Sequence, residues 1–154
     1  MLKTNAVRML DKLKTSYELR EYDASDGLID GLSVAAKLGV DASMLCKTLV
    51  CRGNKGHYVF VVPVSSSLDL KAAASAAGEK KIEMLPQKEL KPLTGYVHGG
   101  CSPLGMKKVF PTFIDASVER LEKIGVSAGA IGLQVMLSPK ALADILSASF
   151  VKLV

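Results

Sequence analysis

The segment best suited to bind an anion is a glycine-rich run that precedes two lysines, Gly99-Gly100-Cys101-Ser102-Pro103-Leu104-Gly105-Met106-Lys107-Lys108. Because glycine tolerates unusual backbone angles, such a run can turn successive N–H groups toward an anion or a carbonyl oxygen. Its spacing matches neither the dinucleotide-binding G-x-G-x-x-G motif nor a Walker A loop. A tight turn between strands explains the same glycines, and the pattern alone leaves both interpretations open.

Lys47 is a second residue that could do chemistry, since it is a lone cation at the start of an otherwise apolar run. A lysine in this position either extends to the rim of a sheet or directs its ammonium group into a cleft. The pattern by itself favours the rim. Strict strand alternation places Thr48 on the opposite face, although its backbone can still line the same cleft.

Cys101 is a candidate nucleophile because it lies in the glycine-rich run, three residues after His98. A neighbouring imidazole can activate a thiol as a thiolate, but this spacing matches no established Cys/His signature. Cys46 and Cys51 are better interpreted as small buried residues. Three cysteines without a C-x-x-C pair argue against a disulfide framework and a four-thiolate zinc site. We therefore expect no metal and no cofactor.

Positive charge is concentrated in the middle of the chain. The 154 residues carry a net charge of +5, and residues 71–108, with seven lysines and three glutamates, account for +4 of it. This excess suits an anionic partner, and a solvated surface is the simpler alternative. The longest apolar run, 58–64, is too short to cross a membrane, and the charged N-terminus is unlike a signal peptide. We expect a cytoplasmic protein without membrane contact.

The elements that position these residues follow from hydrophobic periodicity and capping signals. Residues 45–64 contain two apolar runs on either side of Gly53-Asn54-Lys55-Gly56, which is typical of a β-hairpin. The second run, 58–64, is apolar on both faces and should lie in the middle of the sheet. The remaining pattern predicts helices over 4–16, 32–38, 69–77, 86–90 and 138–146, and strands over 17–22, 81–84, 112–115, 123–127, 133–137 and 150–154.

The order of these elements indicates the fold class. Strands and helices alternate irregularly, without the even βαβ rhythm of a doubly wound fold, which indicates a mixed-sheet α/β or α+β domain. No internal repeat or low-complexity linker divides the chain. Its length and its apolar content of 49% fit a single domain over residues 1–154.

Three segments together resemble one protein family: Tyr22-Asp23, Cys46-Lys47-Thr48-Leu49-Val50 and the run from Gly95 to Lys108. The Lys-Thr strand, followed at this separation by Gly-Gly-x-Ser-Pro-x-Gly, is similar to YbaK-type Cys-tRNA(Pro) deacylases, which are related to the editing domain of bacterial prolyl-tRNA synthetases. The resemblance covers essentially the whole chain. It implies an α/β fold with a twisted, mixed and barrel-like β-sheet surrounded by helices.

The resemblance also implies a role for each matching residue. It places the catalytic lysine at Lys47 and oxyanion-stabilising backbone at Gly99 and Gly100. No metal site is implied. Substrate-binding positions fall on Tyr22, Thr48, Cys101, Ser102, Gly105 and Ser127, and tRNA-binding positions on Lys80, Lys81, Lys107 and Lys108.

The reaction implied by the resemblance is deacylation of mischarged Cys-tRNA(Pro). In this family the thiol of the substrate cysteine attacks its own carbonyl and leaves as a thiolactone, so that no protein nucleophile is needed. The implied partners are tRNA(Pro) and prolyl-tRNA synthetase, with no DNA. Two alternatives remain: a deacylase for alanine or another small amino acid, and a non-catalytic module that binds tRNA or a synthetase.

The sequence departs from the family pattern at three places. Ala130-Ile131 replace a common Lys-Arg pair, Gln134 replaces an acidic residue, and Ile29-Asp30-Gly31 replace an aromatic residue before the second helix. We expect these differences to bear on amino-acid specificity and on part of the tRNA contact more than on the reaction.

Overall fold

The structure is a computed structural model that describes residues 3–154. Three predicted helices begin at capping side chains and end at left-handed residues, as their sequences indicate. At α2, for example, the Asp30 carboxylate accepts from the Ser33 N–H at 3.1 Å, and Gly39 ends the helix at φ +67°. The helices are α1 (Asn5–Lys12), α2 (Gly31–Leu38), α3 (Leu70–Ala77), α4 (Gln87–Thr94) and α5 (Pro139–Leu146).

Two helices differ from their predicted bounds. The first ends before residue 16 because Lys14 takes a left-handed backbone with φ +55°, and the Thr15 N–H donates to the Leu10 carbonyl at 3.0 Å. The predicted turn over 86–90 instead continues as α4, although Pro92 lies inside it. Its end is stabilised by the Thr94 hydroxyl, which donates to a carbonyl one turn earlier at 2.8 Å.

The predicted hairpin is confirmed and forms the centre of a five-stranded sheet. β2 (Cys46–Arg52) pairs antiparallel with β3 (His57–Pro63), and the Gly53 N–H donates to the Gly56 carbonyl at 2.9 Å. β3 is buried along almost its whole length, as expected for a central strand. The other strands are β4 (Glu83–Met84), β5 (Thr112–Asp115) and β8 (Ser149–Val151), in the order β4-β2-β3-β5-β8.

A second sheet of three antiparallel strands lies beside the first, in the order β1-β7-β6. A bridge between Leu45 and Gly125, with a 2.9 Å hydrogen bond from the Gly125 N–H to the Met44 carbonyl, joins the start of β2 to β6. The mixed α/β class is therefore confirmed, and over residues 3–154 the strands form two sheets that this bridge links. The strands of this sheet are β1 (Glu18–Glu21), β6 (Ile124–Ser127) and β7 (Leu133–Leu137).

Helices cover both faces of the five-stranded sheet. Leu10 of α1 and Leu142 of α5 enter a core that the two sheets share. Ala73 of α3 packs against the other face, and Val34 of α2 packs in a third cluster against the start of β2. In the described part of the chain, no helix is both long and apolar enough to cross a membrane.

Candidate active site

A cleft of about 300 Å³ opens where the two sheets meet. Its walls come from the start of β2, from the three-stranded sheet, from the loop before α2 and from the glycine-rich run. The bridge between Leu45 and Gly125 creates this space, because it brings the first residues of β2 next to β6. The lining residues are Tyr22, Ile29, Asp30, Gly31, Val34, Leu45, Cys46, Lys47, Thr48, Leu49, Val64, Leu90, His98, Gly99, Cys101, Ser127 and Gln134.

One wall of the cleft consists of residues that the pairing of β1, β7 and β6 brings side by side. Arg20 pairs with Gln134, and Gln134 pairs with Ser127, so these three side chains share one face of the sheet. Tyr22 follows two residues after Arg20 and continues along the same face. The predicted substrate-binding residues Tyr22 and Ser127, far apart in sequence, therefore meet in one cleft.

The opposite wall belongs to β2, where the consecutive residues Lys47 and Thr48 both line the cleft. Lys47 is half-buried and pairs with Val62 in the ladder. Its ammonium group forms no ion pair within residues 3–154. Lys47 therefore lies at the cleft, where an unpaired cation can meet a developing negative charge.

Three residues that line the cleft each carry a buried polar atom without a hydrogen-bond partner: the Tyr22 hydroxyl, the Thr48 hydroxyl and the Gln134 amide oxygen. No other buried side-chain nitrogen or oxygen of residues 3–154 is unpartnered, and all three residues line this cleft. Leaving such a group unpaired costs about 1–3 kcal/mol. Convergent unpaired polar groups in one concave site are typical of a place where a ligand supplies the partners.

Gly99 lines the cleft next to the Ile29 side chain. Its backbone is left-handed, with φ +87°, and an added Cβ would lie 2.6 Å from Ile29 Cδ1. The next glycine, Gly100, is buried, and its Cβ would lie 2.9 Å from the backbone nitrogen of Ile131. The Gly100 N–H donates to the Val97 carbonyl at 3.0 Å. Gly100 therefore closes the turn, and Gly99 is the glycine of the run that borders the cleft.

The far end of the glycine-rich run lies away from the cleft. Ser102 is fully buried, and its hydroxyl accepts from the Leu104 N–H at 3.1 Å. Gly105 packs against the start of α1, where an added Cβ would lie 2.9 Å from the carbonyl carbon of Asn5. Neither Ser102 nor Gly105 is among the lining residues. They shape and anchor the run that carries Gly99.

The start of α1 supports a second loop of the cleft as well. The Thr4 hydroxyl donates to the carbonyl of Ala128, the residue that follows Ser127. Gly129 lies so close that an added Cβ would be 3.3 Å from Thr4 Cβ and 2.9 Å from Tyr96 Cε1. The N-terminal helix therefore holds both the glycine-rich run and the loop after β6.

The four predicted tRNA-binding lysines are exposed and occupy separate places. Lys80 and Lys81 line a groove at the hairpin end of β2. Lys108 lines a different hollow beside α5, and the backbone N–H of Lys107 donates to the Thr94 carbonyl at 3.0 Å. None of the four lines the cleft itself, so any contact they make is with parts of a ligand outside it.

Burial keeps the cysteine thiols protonated. Cys101 is 8% exposed, and burial raises the pKa of its thiol to about 12, with a hydrogen bond to Thr94 opposing the rise in part. Burial also raises the pKa of Cys46 to about 12 and that of Cys51 to about 11. A cysteine nucleophile requires the thiolate, which these surroundings disfavour.

Several cleft residues carried no chemical signal in the sequence. Leu90 of α4 and Val64 are ordinary apolar residues, and only the assembled fold brings them here. Asp30 lines the cleft while capping α2, and hydrogen bonds from Ser33 lower the pKa of its carboxyl. Gln134 could have been located by alternation, since pairing of the strands predicted over 123–127 and 133–137 places it opposite Ser127. No group of three or more metal-ligating side chains lies together in residues 3–154.

Solved structures agree with this architecture. A structure described as a trans-editing enzyme for prolyl tRNA synthetase superposes with a TM-score of 0.86 at 25% identity, covering 99% of this chain and 98% of that one. The structure of hypothetical protein APE2540 superposes with a TM-score of 0.89 at 22% identity, covering 97% and 99%. The second likeness shows the fold alone.

Sequence comparisons extend the agreement to the family. A protein of Enterococcus faecalis (strain ATCC 700802 / V583), named as the Cys-tRNA(Pro)/Cys-tRNA(Cys) deacylase EbsC, is 43% identical over 152 residues, which cover 98% of this chain and 93% of that protein. The aminoacyl-tRNA editing domain family matches residues 32–145, which contain most of the cleft. The chain therefore belongs to the aminoacyl-tRNA editing domain family.

Proposed function

We propose that this protein is a trans-editing hydrolase that deacylates mischarged Cys-tRNA(Pro). The observation that carries the proposal is the cleft, in which an unpaired lysine and three unpartnered buried polar atoms converge on about 300 Å³. The relative named as a Cys-tRNA(Pro)/Cys-tRNA(Cys) deacylase matches nearly the whole chain and supports the choice of substrate.

Lys47 and the backbone of Gly99 stabilise the charge that develops on the ester carbonyl oxygen. An aminoacyl ester is already activated, so the enzyme needs only to orient it and to bind the transition state more tightly than the ground state. A cation and an N–H group directed at the oxyanion supply such differential binding. Gly100 contributes through the turn that fixes Gly99, because its own N–H is used by Val97.

The unpartnered groups hold the aminoacyl end of the substrate. Tyr22, Thr48 and Gln134 offer two hydroxyls and one amide oxygen, which suit the amino group of the amino acid and the hydroxyl of the terminal ribose. Ser127 and Cys101 complete the walls of the cleft. Ser102 and Gly105 act on the substrate indirectly, through the shape of the glycine-rich run.

The substrate cysteine supplies the nucleophile. Its sulfur forms a new bond to the ester carbonyl carbon, the bond from that carbon to the ribose oxygen breaks, and the thiol proton ends on the ribose oxygen. The released thiolactone is then opened by water. This route is consistent with the raised pKa, about 12, of both protein thiols that line the cleft, Cys46 and Cys101, because burial disfavours the thiolate that would have to attack.

The partners of the proposed reaction are mischarged tRNA(Pro) and prolyl-tRNA synthetase, which would present the tRNA. The exposed lysines outside the cleft contact the phosphates of the tRNA, since phosphate contacts dominate nucleic-acid affinity. The proposed location is the cytoplasm, where tRNAs are charged. The lysines concerned are Lys80, Lys81, Lys107 and Lys108.

The proposal is tested with purified protein and a panel of tRNA(Pro) charged with cysteine, alanine, serine or proline. We expect Cys-tRNA(Pro) to be deacylated fastest, because the other amino acids lack the thiol. Mass spectrometry of the first product should detect the thiolactone. Removal of alanine at least as fast as cysteine would contradict substrate-thiol chemistry and favour an alanine deacylase. Binding of charged tRNA without turnover would indicate a non-catalytic module.

A further inference from the structure

A groove lies at the hairpin end of β2, at the end of the strand opposite the cleft. It has a volume of about 880 Å³ and is formed by the hairpin turn, the end of α3 and the approach to β4. Four cationic side chains and two carboxylates line it. These residues are Arg52, Lys55, Lys80, Lys81, Glu79 and Glu83.

The two carboxylates of the groove are already used within the fold. Glu79 is buried, and its carboxylate accepts from the N–H groups of Asn54 and Lys55 at 3.1 and 2.9 Å and from the Tyr58 hydroxyl at 2.6 Å. These bonds, led by the one from Tyr58, lower the pKa of its carboxyl. The second carboxylate is that of Glu83, which accepts from the Arg52 guanidinium at 2.8 Å.

The three lysines of the groove form no ion pair within residues 3–154, and the Lys55 ammonium group donates to the Gly78 carbonyl at 3.1 Å. Lys80 and Lys81 are exposed. Because Glu79 is bonded to the hairpin turn and Glu83 is paired with Arg52, the groove has a net positive charge at its surface. Such a surface attracts a polyanion.

Helix α4 connects this groove to the cleft. Glu89 on α4 accepts from Arg52 at the groove, at 3.4 Å, while the next residue, Leu90, lines the cleft. On the same helix, Lys88 and Lys91 are exposed. Helix α4, which contacts both the groove and the cleft, therefore carries further exposed positive charge.

The distance along β2 indicates which part of an RNA would reach the groove. Lys47 and Arg52 are five residues apart on this strand, which corresponds to about 17 Å. Phosphates advance by about 3.4 Å each along one strand of a double helix, and at that spacing about five nucleotides span the same distance. A tRNA whose aminoacyl ester lies at Lys47 would place the junction of its unpaired 3′ tail and its acceptor stem at the groove.

We infer that the groove binds the sugar–phosphate backbone of the substrate RNA where the 3′ tail joins the acceptor stem, with Lys80 and Lys81 as its phosphate contacts. The inference rests on the proposed function, because the distance along β2 is measured from Lys47, the proposed catalytic lysine. Recognition of the substrate is then divided between two sites: the cleft binds the amino acid, and the groove binds the RNA only where a duplex stem is present.

The test compares two substrates of different length: a cysteinyl ester of the CCA trinucleotide and a cysteinyl acceptor-stem minihelix. In Lys80→Gln/Lys81→Gln we expect KM for the minihelix to rise about tenfold while kcat stays within about twofold. The slope of log K for minihelix binding against log salt concentration should become shallower by about two, since each of the two lost phosphate contacts contributes about 0.9 to that slope. Kinetics on the trinucleotide should not change, because it is too short to reach the groove.

The matched control is Lys123→Gln/Lys140→Gln, which removes the same charge from exposed positions that line neither the groove nor the cleft. It should leave both substrates unaffected. An equal loss on both substrates in the Lys80/Lys81 variant would overturn the inference, and so would no loss on either.

Failure of the proposed function gives a different result. If the wild-type protein deacylates neither substrate, the proposed reaction is wrong, and the groove is then judged by fluorescence anisotropy with the uncharged minihelix. Wild-type binding that the Lys80/Lys81 variant loses supports the groove. Equal binding by the two proteins, or no binding by either, overturns it.

Discussion

The Thr48 hydroxyl and the Gln134 amide oxygen border one cleft from two different sheets, and neither has a hydrogen-bond partner. Each group has lost water on folding without gaining a protein partner, at a cost of about 1–3 kcal/mol. The free protein is therefore less stable than one with apolar atoms at these positions. Ligand-binding sites commonly lower the stability of the free protein in this way.

Thr48→Val tests that relationship, because it removes the hydroxyl with little change in shape. We expect the free energy of unfolding to rise by about 1 kcal/mol, while kcat/KM for Cys-tRNA(Pro) falls about tenfold. The control is Thr112→Val, since the Thr112 hydroxyl is partnered and donates to the Phe110 carbonyl at 3.0 Å. It should lose stability and retain activity. Urea unfolding and deacylation kinetics together check both variants, and a destabilised Thr48→Val would count against an unpartnered hydroxyl.

Lys47→Ala should reduce single-turnover deacylation by about a hundredfold or more, comparable to the loss of one oxyanion donor. Because Lys47 is half-buried and forms no ion pair within residues 3–154, the free energy of unfolding should change by no more than about 0.5 kcal/mol. Lys47→Arg keeps the charge but replaces the compact ammonium with a planar group, and should rescue poorly. Near-normal deacylation rates in a well-folded Lys47→Ala variant would show that Lys47 takes no part in the reaction.

Gly99→Ala should reduce the activity, because the added methyl group enters the cleft wall and Ile29 Cδ1, 2.6 Å away, must shift to make room. Gly39→Ala is the matched control, with a left-handed backbone at φ +67° and no atom within 4 Å of the added Cβ. Both variants should lose about 1–2 kcal/mol of stability from the left-handed backbone. Only Gly99→Ala should lose deacylation, and a similar loss of activity in both would indicate a general effect on the fold.

Stability should fall as the pH rises above about 8.5, the ordinary pKa of an unfolded thiol. Native Cys46, Cys51 and Cys101 keep their protons to a pKa of about 12, 11 and 12, so above pH 8.5 the native state binds more protons than the unfolded state. Each thiol then contributes a loss of about 1.4 kcal/mol per pH unit. Urea unfolding with a reductant at pH 7.5 and 9.5 measures this slope. The variant with alanine at all three positions should show a smaller decline; an equal decline would contradict the buried thiols.

The local structure of this protein follows closely from its sequence. Ser138 and Pro139 begin α5 as expected, and β7 has the predicted bounds. The hairpin turn around Gly53 and the central position of β3 are also confirmed. Caps, turns and apolar runs depend on neighbouring residues, so one sequence contains the information that decides them.

The cleft could be predicted only in part, because it depends on contacts between distant segments. The bridge from Leu45 to Gly125 joins residues 80 positions apart, and no local pattern marks it. The split into two sheets, the inclusion of Leu90 and the closing role of the Gly100 N–H follow from that packing. The end of β8 at Val151 likewise depends on a distant group, since the Leu153 N–H donates to the Asp115 carboxylate.

The start of α1 extends the set of residues on which the shape of the cleft depends. Thr4 holds the loop after β6, and the backbone at Asn5 leaves no room for a side chain at Gly105. Substitutions at Thr4 or backbone shifts at Asn5 would therefore disturb both loops that shape the cleft, although neither residue lines it. Leu153 and Val154 pack instead against a cluster on the other face of the large sheet, so the residues at the start of α1, unlike these two, belong to the support of the cleft.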